Sequence, residues 1–172
     1  IIKFIGYSPF NFDKKPNPII ITELASNFSL SKMFELERRG KKHPPFDDTK
    51  KLIIIYGIAA GMHFLHSNNI IHCDLKPTNI FLDDNLHPKI SGFCLSKQIS
   101  EEDDQISSEL VGTLAYLSPE ILQRKEYSKM SDVYSFSLVL YEILTNERPF
   151  NEVDDSLILF EKVKSQKYRP KI

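Results

Sequence analysis

The chain has 172 residues, 41% of them hydrophobic and 26% charged; these ordinary values exclude wholesale disorder and fit one domain burying roughly two thirds of its unfolded surface. A formal net charge of −1 excludes a nucleic-acid binder driven by phosphate neutralisation. Cys73 and Cys94 form neither a CxxC pair nor a disulfide framework, which points to a reducing, cytoplasmic or otherwise intracellular setting.

The chain opens on Ile1-Ile2 without a methionine, in a strand-like run, and reads as an excerpt or gene fragment. No charged region precedes an apolar stretch there, so no signal peptide is expected. Residues 1–7 and 18–24 are rich in isoleucine and read as two short strands, separated by a loop of Asn, Asp, Lys and Pro. Ser29 or Ser31 caps a short helix running through Arg39 and stopping at Gly40, after which Pro44-Pro45 forces an extended link. The longest helix signal covers residues 48–67. Asp47 or Asp48 caps it, and Ile55, Ile58, Ala59, Met62 and Leu65 recur on one face. Gly57 and Gly61 weaken this helix, but their spacing puts both on one side, where another element can pack closely. Its apolar run 53–65 includes His63 and is too short to span a bilayer. A second apolar helix is predicted over residues 129–145, burying Val133, Phe136, Leu140, Ile143 and Leu144, and a weaker one over 155–164. Two strands followed by helices indicate an α+β fold.

The chemistry sits after the long helix, in Ile70-Ile71-His72-Cys73-Asp74-Leu75-Lys76-Pro77-Thr78-Asn79-Ile80-Phe81-Leu82. Phosphoryl transfer needs a carboxylate to orient the incoming hydroxyl, a cation near the migrating group, and a metal ligand. Asp74, Lys76 and Asn79 supply those three types within six residues. The stretch resembles the protein kinase catalytic loop, His-x-Asp-x-Lys-x-x-Asn, of the serine/threonine or tyrosine-kinase-like type. Small-molecule phosphotransferases of related fold use a similar loop, so the loop alone leaves both families open. Two further stretches favour protein kinases. Gly112-Thr113-Leu114-Ala115-Tyr116-Leu117-Ser118-Pro119-Glu120 resembles the segment that binds substrate and closes the activation loop. Ser131-Asp132-Val133-Tyr134-Ser135-Phe136 resembles the start of the central helix of the C-lobe, whose aspartate would hold the catalytic-loop backbone.

The resemblance implies a kinase-like fold: a two-strand remnant of the N-lobe in residues 1–24, then hinge and mostly helical C-lobe in 25–172, without the final helices. It implies ATP and Mg2+ as cofactors and a protein substrate or regulatory protein as partner. Asp74, Lys76, Asn79 and Thr113 would be the catalytic set. Thr22 would stand at the gatekeeper position, with Glu23 and Ala25 in the hinge and Phe81 under adenine, while Lys76 and Asn79 would also reach the nucleotide. Phe4, His72 and Phe93 match three members of the apolar spine that stacks through a kinase core.

The sequence also departs from the family. Where the pattern is Lys-Ile-x-Asp-Phe-Gly-Leu, this chain has Lys89-Ile90-Ser91-Gly92-Phe93-Cys94-Leu95. Gly92 brings no carboxylate to a metal, leaving Asn79 as the one metal ligand of the pair, and a neutral one. Losing about 4 kcal/mol of metal stabilisation would slow transfer about a thousandfold. The chain therefore reads as a pseudokinase, with a weakly active kinase and a non-functional gene fragment as rival readings. Cys94 replaces the motif's glycine and implies a stiffer switch. Cys73 stands where many kinases carry an arginine that clamps a phosphorylated loop; Ser107, Ser108 or Thr113, once phosphorylated, would lack that partner. Cys73 itself reads as a small buried hydrophobe. Glu120 would be a buried carboxylate wanting an arginine. His63, His66 and Cys73 make a poor metal set, and the acidic run 101–104 reads as solvated loop.

Overall fold

The computed structural model describes residues 1–41, 46–100, 105–106, 111–123, 126–153, 155–166 and 168–171. The first hairpin pairs β1 (Phe4–Ser8) with β2 (Ile19–Thr22), antiparallel, with a register irregularity between Phe4 and Gly6. Both strands are shorter than the isoleucine-rich runs that announced them. Helix α1 (Leu30–Arg38) starts at Ser29, whose hydroxyl accepts the Lys32 N–H, and the chain turns away at Gly40 with φ +66°. Helix α2 (Asp48–Ser67) starts where Asp47 accepts the Lys50 N–H at 2.8 Å. Beyond it come β3 (Ile70–Ile71), β4 (Ile80–Leu82), β5 (Pro88–Ile90), β6 (Lys97–Gln98) and β7 (Gln105–Ile106). The chain closes with the one-turn helix α3 (Pro119–Leu122), β8 (Tyr127–Ser128), α4 (Lys129–Thr145) and α5 (Ser156–Gln166). Pairs β3–β6, β4–β5 and β7–β8 are each antiparallel two-stranded ladders. Pro44-Pro45 and the run 101–104 lie outside the described residues.

Helix α2 carries the first core. Ile54, Ile58, Met62 and Leu65 are buried against Phe34 of α1 and Ile143 of α4. The predicted face is close, but Ile54 is fully buried whereas Ile55 is only partly so. The paired glycines do mark a close approach. A Cβ on Gly57 would lie 2.5 Å from Pro88 Cγ, and one on Gly61 2.7 Å from Ile90 Cδ1, so β5 is seated directly on the helix backbone.

Helix α4 corrects the expectation made for it. Of the five apolar residues predicted to be its buried side, Ile143 is fully buried, while Val133 and Leu144 are exposed and Phe136 and Leu140 half-buried. The buried face is instead Ser131, Asp132, Ser135, Leu138, Val139, Glu142 and Ile143. Polar groups face inward because each meets a specific partner, which hydrophobic periodicity does not register. Leu138 joins a second core with Ile71, Ile121, Tyr127, Phe150 and Val163. Thus α4 separates two apolar clusters, and the loop between β3 and β4 lies at their junction.

Candidate functional site

The loop is held from below by one carboxylate. Asp132, in the first turn of α4 and 1% exposed, accepts the backbone N–H of His72 at 2.8 Å on Oδ2 and that of Cys73 at 3.0 Å on Oδ1. Its Oδ2 also lies 2.9 Å from His66 Nε2, at the end of α2. Sequence reasoning gave Asp132 this part; it did not find His66, which occurs as one more helix residue with no distinguishing pattern.

His72 is fully buried and bridges two strands of chain. Its Nε2 donates to the Ser91 carbonyl at 2.8 Å, while Nδ1 accepts the Asp74 N–H at 3.2 Å. An accepting Nδ1 carries no proton, so the ring is the neutral Nε2–H tautomer. Burial pushes its pKa below the usual histidine range, in keeping with that assignment. The His72 and Phe93 rings lie 5.1 Å apart, so two of the three residues expected in the spine meet. Phe4 is 62% exposed on β1 and stands apart.

Above this base four predicted side chains converge. Asp74 Oδ2 is 2.8 Å from Lys76 Nζ, and Asp74 Oδ1 accepts the Thr113 hydroxyl at 2.9 Å. Lys76 Nζ donates to Thr113 Oγ1 at 2.5 Å. Asn79 Nδ2 donates to the Asp74 carbonyl at 2.8 Å and to Asp74 Oδ2 at 3.0 Å. The Pro77–Asn79 turn that aims Asn79 is followed by the β4–β5 ladder, and the Ser91 N–H returns to the Asn79 carbonyl at 2.8 Å. Each of the two Asp74 carboxylate oxygens is therefore engaged by chain donors.

Gly92 lies directly against this cluster. It adopts the left-handed conformation, φ +82° and ψ 37°. A Cβ there would come within 2.4 Å of Asn79 Cγ, 2.6 Å of Nδ2 and 2.7 Å of Oδ1. The carboxamide of Asn79 thus fills the space into which a side chain at position 92 would begin. This donor set does not fit magnesium in the manner of the family pattern. The carboxylate of the pattern's metal pair is missing, and the remaining ligand, Asn79, is neutral and turns its amide nitrogen onto Asp74. Among the described residues no three His, Cys, Asp or Glu side chains gather as a metal site.

The residues expected around the nucleotide base lie at the end of β2, just after it, and in β4. Thr22 ends β2, exposed, with its hydroxyl donating to the Glu23 carbonyl at 3.2 Å. Glu23 is tied to β1: its N–H donates to the Lys3 carbonyl at 2.9 Å, and its carboxylate accepts the Lys3 N–H at 2.8 Å. That bond, helped by Lys89 at 3.4 Å, holds the Glu23 carboxyl below the usual carboxylate range. Ala25 and Phe81 are half-buried. The chain beyond Ala25 runs along β4, where the Asn27 N–H donates to the Leu82 carbonyl at 3.0 Å and Ser29 bridges Phe81.

Cys73 is 6% exposed, and burial pushes its thiol up to about 12, so it is the small buried hydrophobe expected and not a reactive thiolate. Both cysteines are free. Glu120 differs from expectation: it is half-buried, lining a surface groove of about 580 Å³ that Arg169 also borders. Of the three phosphorylation candidates, Ser107 and Ser108 lie outside the described residues. A further buried network was missed. Tyr116 donates its hydroxyl to Glu142, whose other oxygen lies 3.5 Å from Arg38, and Arg38 Nε also donates to the Asn146 carbonyl at 2.6 Å. Burial raises the Glu142 carboxyl above its usual range. A glutamate on a helix reads as a solvated face, so no sequence signal pointed to it.

Comparison with known proteins identifies the family. The family model for the protein kinase domain matches residues 1–171. The chain is 38% identical over 130 residues to mitogen-activated protein kinase kinase kinase 13 of Pongo abelii, covering 74% of the chain and 13% of that protein. It is 37% identical over 169 residues to serine/threonine-protein kinase polo of Drosophila melanogaster, covering 98% and 27%. It is 36% identical over 157 residues to receptor-like protein kinase THESEUS 1 of Arabidopsis thaliana, covering 89% and 17%. The chain thus spans between about an eighth and a quarter of the length of these relatives. No helix among the described residues is long and apolar enough to cross a membrane. With serine/threonine kinases among its relatives and the loop, closing segment and central-helix motifs in order along one domain, the chain belongs to the protein kinase family.

Proposed function

We propose that this protein kinase domain is catalytically impaired, acting through binding of nucleotide or of a regulatory protein partner and not through phosphoryl transfer. In this reading residues 1–24 take the part of the last N-lobe strands, and residues 25–172 that of hinge and C-lobe. Thr22, Glu23, Ala25 and Phe81 surround the nucleotide base, with Lys76 and Asn79 toward its phosphates. The two free cysteines support an intracellular setting.

One observation carries the reading: Gly92 has no carboxylate, and the Asn79 carboxamide packs where one would start. A family member needs two metal ligands converging on the outer phosphates. Here Asn79 is turned instead onto Asp74. The test is calorimetric titration of the complete protein with ATP, with and without Mg2+. The expected result is an affinity that magnesium changes less than about twofold, because no charged ligand awaits the ion. A magnesium-dependent tightening of about tenfold or more would overturn the reading.

A second reading, a weakly active serine/threonine kinase, draws on a different observation: Asp74, Lys76 and Thr113 are all present and mutually hydrogen-bonded. Asp74 would then orient the incoming hydroxyl and receive its proton, Thr113 would hold Asp74 in place, and Lys76 would steady the γ-phosphoryl. Residual phosphorylation lost in Asp74→Asn would favour this reading; equal rates in both proteins would exclude it.

A further inference from the structure

The stretch that carries Thr113 is fastened to the domain by a side chain with no assigned part. Tyr127, in β8, is 1% exposed, and its hydroxyl makes two bonds to a single residue. It accepts the Val111 N–H at 2.8 Å and donates to the Val111 carbonyl at 2.5 Å. Val111 is two residues before Thr113, which bonds Asp74 and Lys76. The intervening Gly112 has φ +109°, and a Cβ on it would lie 2.8 Å from the Cys73 carbonyl. Chain 111–113 therefore passes in contact with the catalytic loop, and it does so from the point where Tyr127 grips it.

The same tyrosine meets two other parts of the segment that begins after Gly92. Lys97 Nζ, in β6, sits 5.2 Å from the Tyr127 ring centroid, within cation–π range. In the β7–β8 ladder Ile106 pairs with Tyr127 itself. One residue of β8 thus touches the beginning, middle and end of the stretch 97–113. Cys73, at φ +65°, brings no cation from its own position, and its thiol contacts the Ile71 carbonyl at 3.7 Å. Of the nearby cations, Lys97 is turned onto the aromatic ring and Lys76 is bonded to Thr113.

We propose that Tyr127 is a positioning residue that holds residues 111–113 on the catalytic loop, doing with a fixed hydroxyl what a charge clamp would otherwise do. The orientation of Thr113 toward Asp74 and Lys76 then depends on Tyr127 and is independent of any added charge on the segment. The inference stands apart from the proposed impairment, since it concerns how the segment is held and not whether phosphoryl transfer occurs.

The experiment is amide hydrogen exchange in the complete protein carrying Tyr127→Phe, which keeps the ring and removes both hydroxyl bonds. Amides 111–113 should exchange about ten- to a hundredfold faster, while those of α2 and α4 keep their protection. A merely structural role would raise exchange evenly across both cores, and that result, or unchanged protection at Val111, overturns the proposal. Should Tyr127→Phe fail to fold, the unaltered protein supplies the second measurement. Nuclear magnetic resonance should show a slowly exchanging Tyr127 hydroxyl proton with a cross-peak to the Val111 amide. A hydroxyl that exchanges as fast as an exposed tyrosine's overturns the proposal equally.

Discussion

Of the positions that belong to aspartates in the protein kinase pattern, two are treated by this chain in opposite ways. At the start of α4, Asp132 is kept; at the end of β5, the aspartate has become Gly92. The difference lies in what each carboxylate faces. Asp132 looks into the protein, where two backbone N–H groups and His66 point at it. A carboxylate at position 92 has a metal ion as its partner in the pattern, and the space where it would begin is filled by Asn79. A fold can dispense with a charge whose partner is a ligand, but not with one whose partners are its own buried amides.

The largest test of that contrast is Asp132→Ala. It leaves the His72 and Cys73 N–H groups unpaired in a buried site, and stability should fall by about 3–5 kcal/mol in chemical denaturation. A loss below about 1 kcal/mol would show that the retained aspartate is dispensable after all. The intermediate test is Gly92→Ala. With φ at +82° and Asn79 in contact, the added methyl should cost about 1–3 kcal/mol. Asn79→Ala combined with it should remove the crowding part of that cost, so the two changes should be non-additive in a double-mutant cycle. Simple additivity would mean that Asn79 does not fill the space. The smallest effect concerns His72. Its folded-state pKa lies below the ordinary 6.5, so its contribution is complete above that pH and is lost as pH falls below it, through the folded-state value. Melting temperatures measured from pH 7.5 down to 5 should therefore decline more steeply in the unaltered protein than in His72→Gln.

The helix positions were legible in the sequence because their caps are local: Ser29 and Asp47 bond within three residues of themselves. The buried face of α4 was not. Its inward polar residues answer to partners distant in sequence, such as Tyr116 for Glu142 and the Tyr116 carbonyl for Ser135. Hydrophobic periodicity therefore selected Val133 and Leu144, which are exposed. The meeting of Asp74, Lys76, Asn79 and Thr113 was legible because the first three share one short loop and the closing-segment motif brings Thr113. Neither the Asn79 carboxamide filling the space beside Gly92 nor the Tyr127 grip on Val111 could be read beforehand. Both are contacts between residues more than ten positions apart: the β4–β5 ladder brings Gly92 to Asn79, and β8 brings Tyr127 to Val111.

The clamp at Asp132 also sets an order of events during synthesis. His66, His72 and Cys73 precede it by 66, 60 and 59 positions. A ribosome adding about 5–20 residues per second needs several seconds to cover that distance. Throughout that interval the two amides of the nascent loop lack the Asp132 carboxylate and are left to water, and the residues of α2 have already been made. The loop's final shape is therefore a late, long-range event in the life of the chain, and the interval is when a chaperone would find it open.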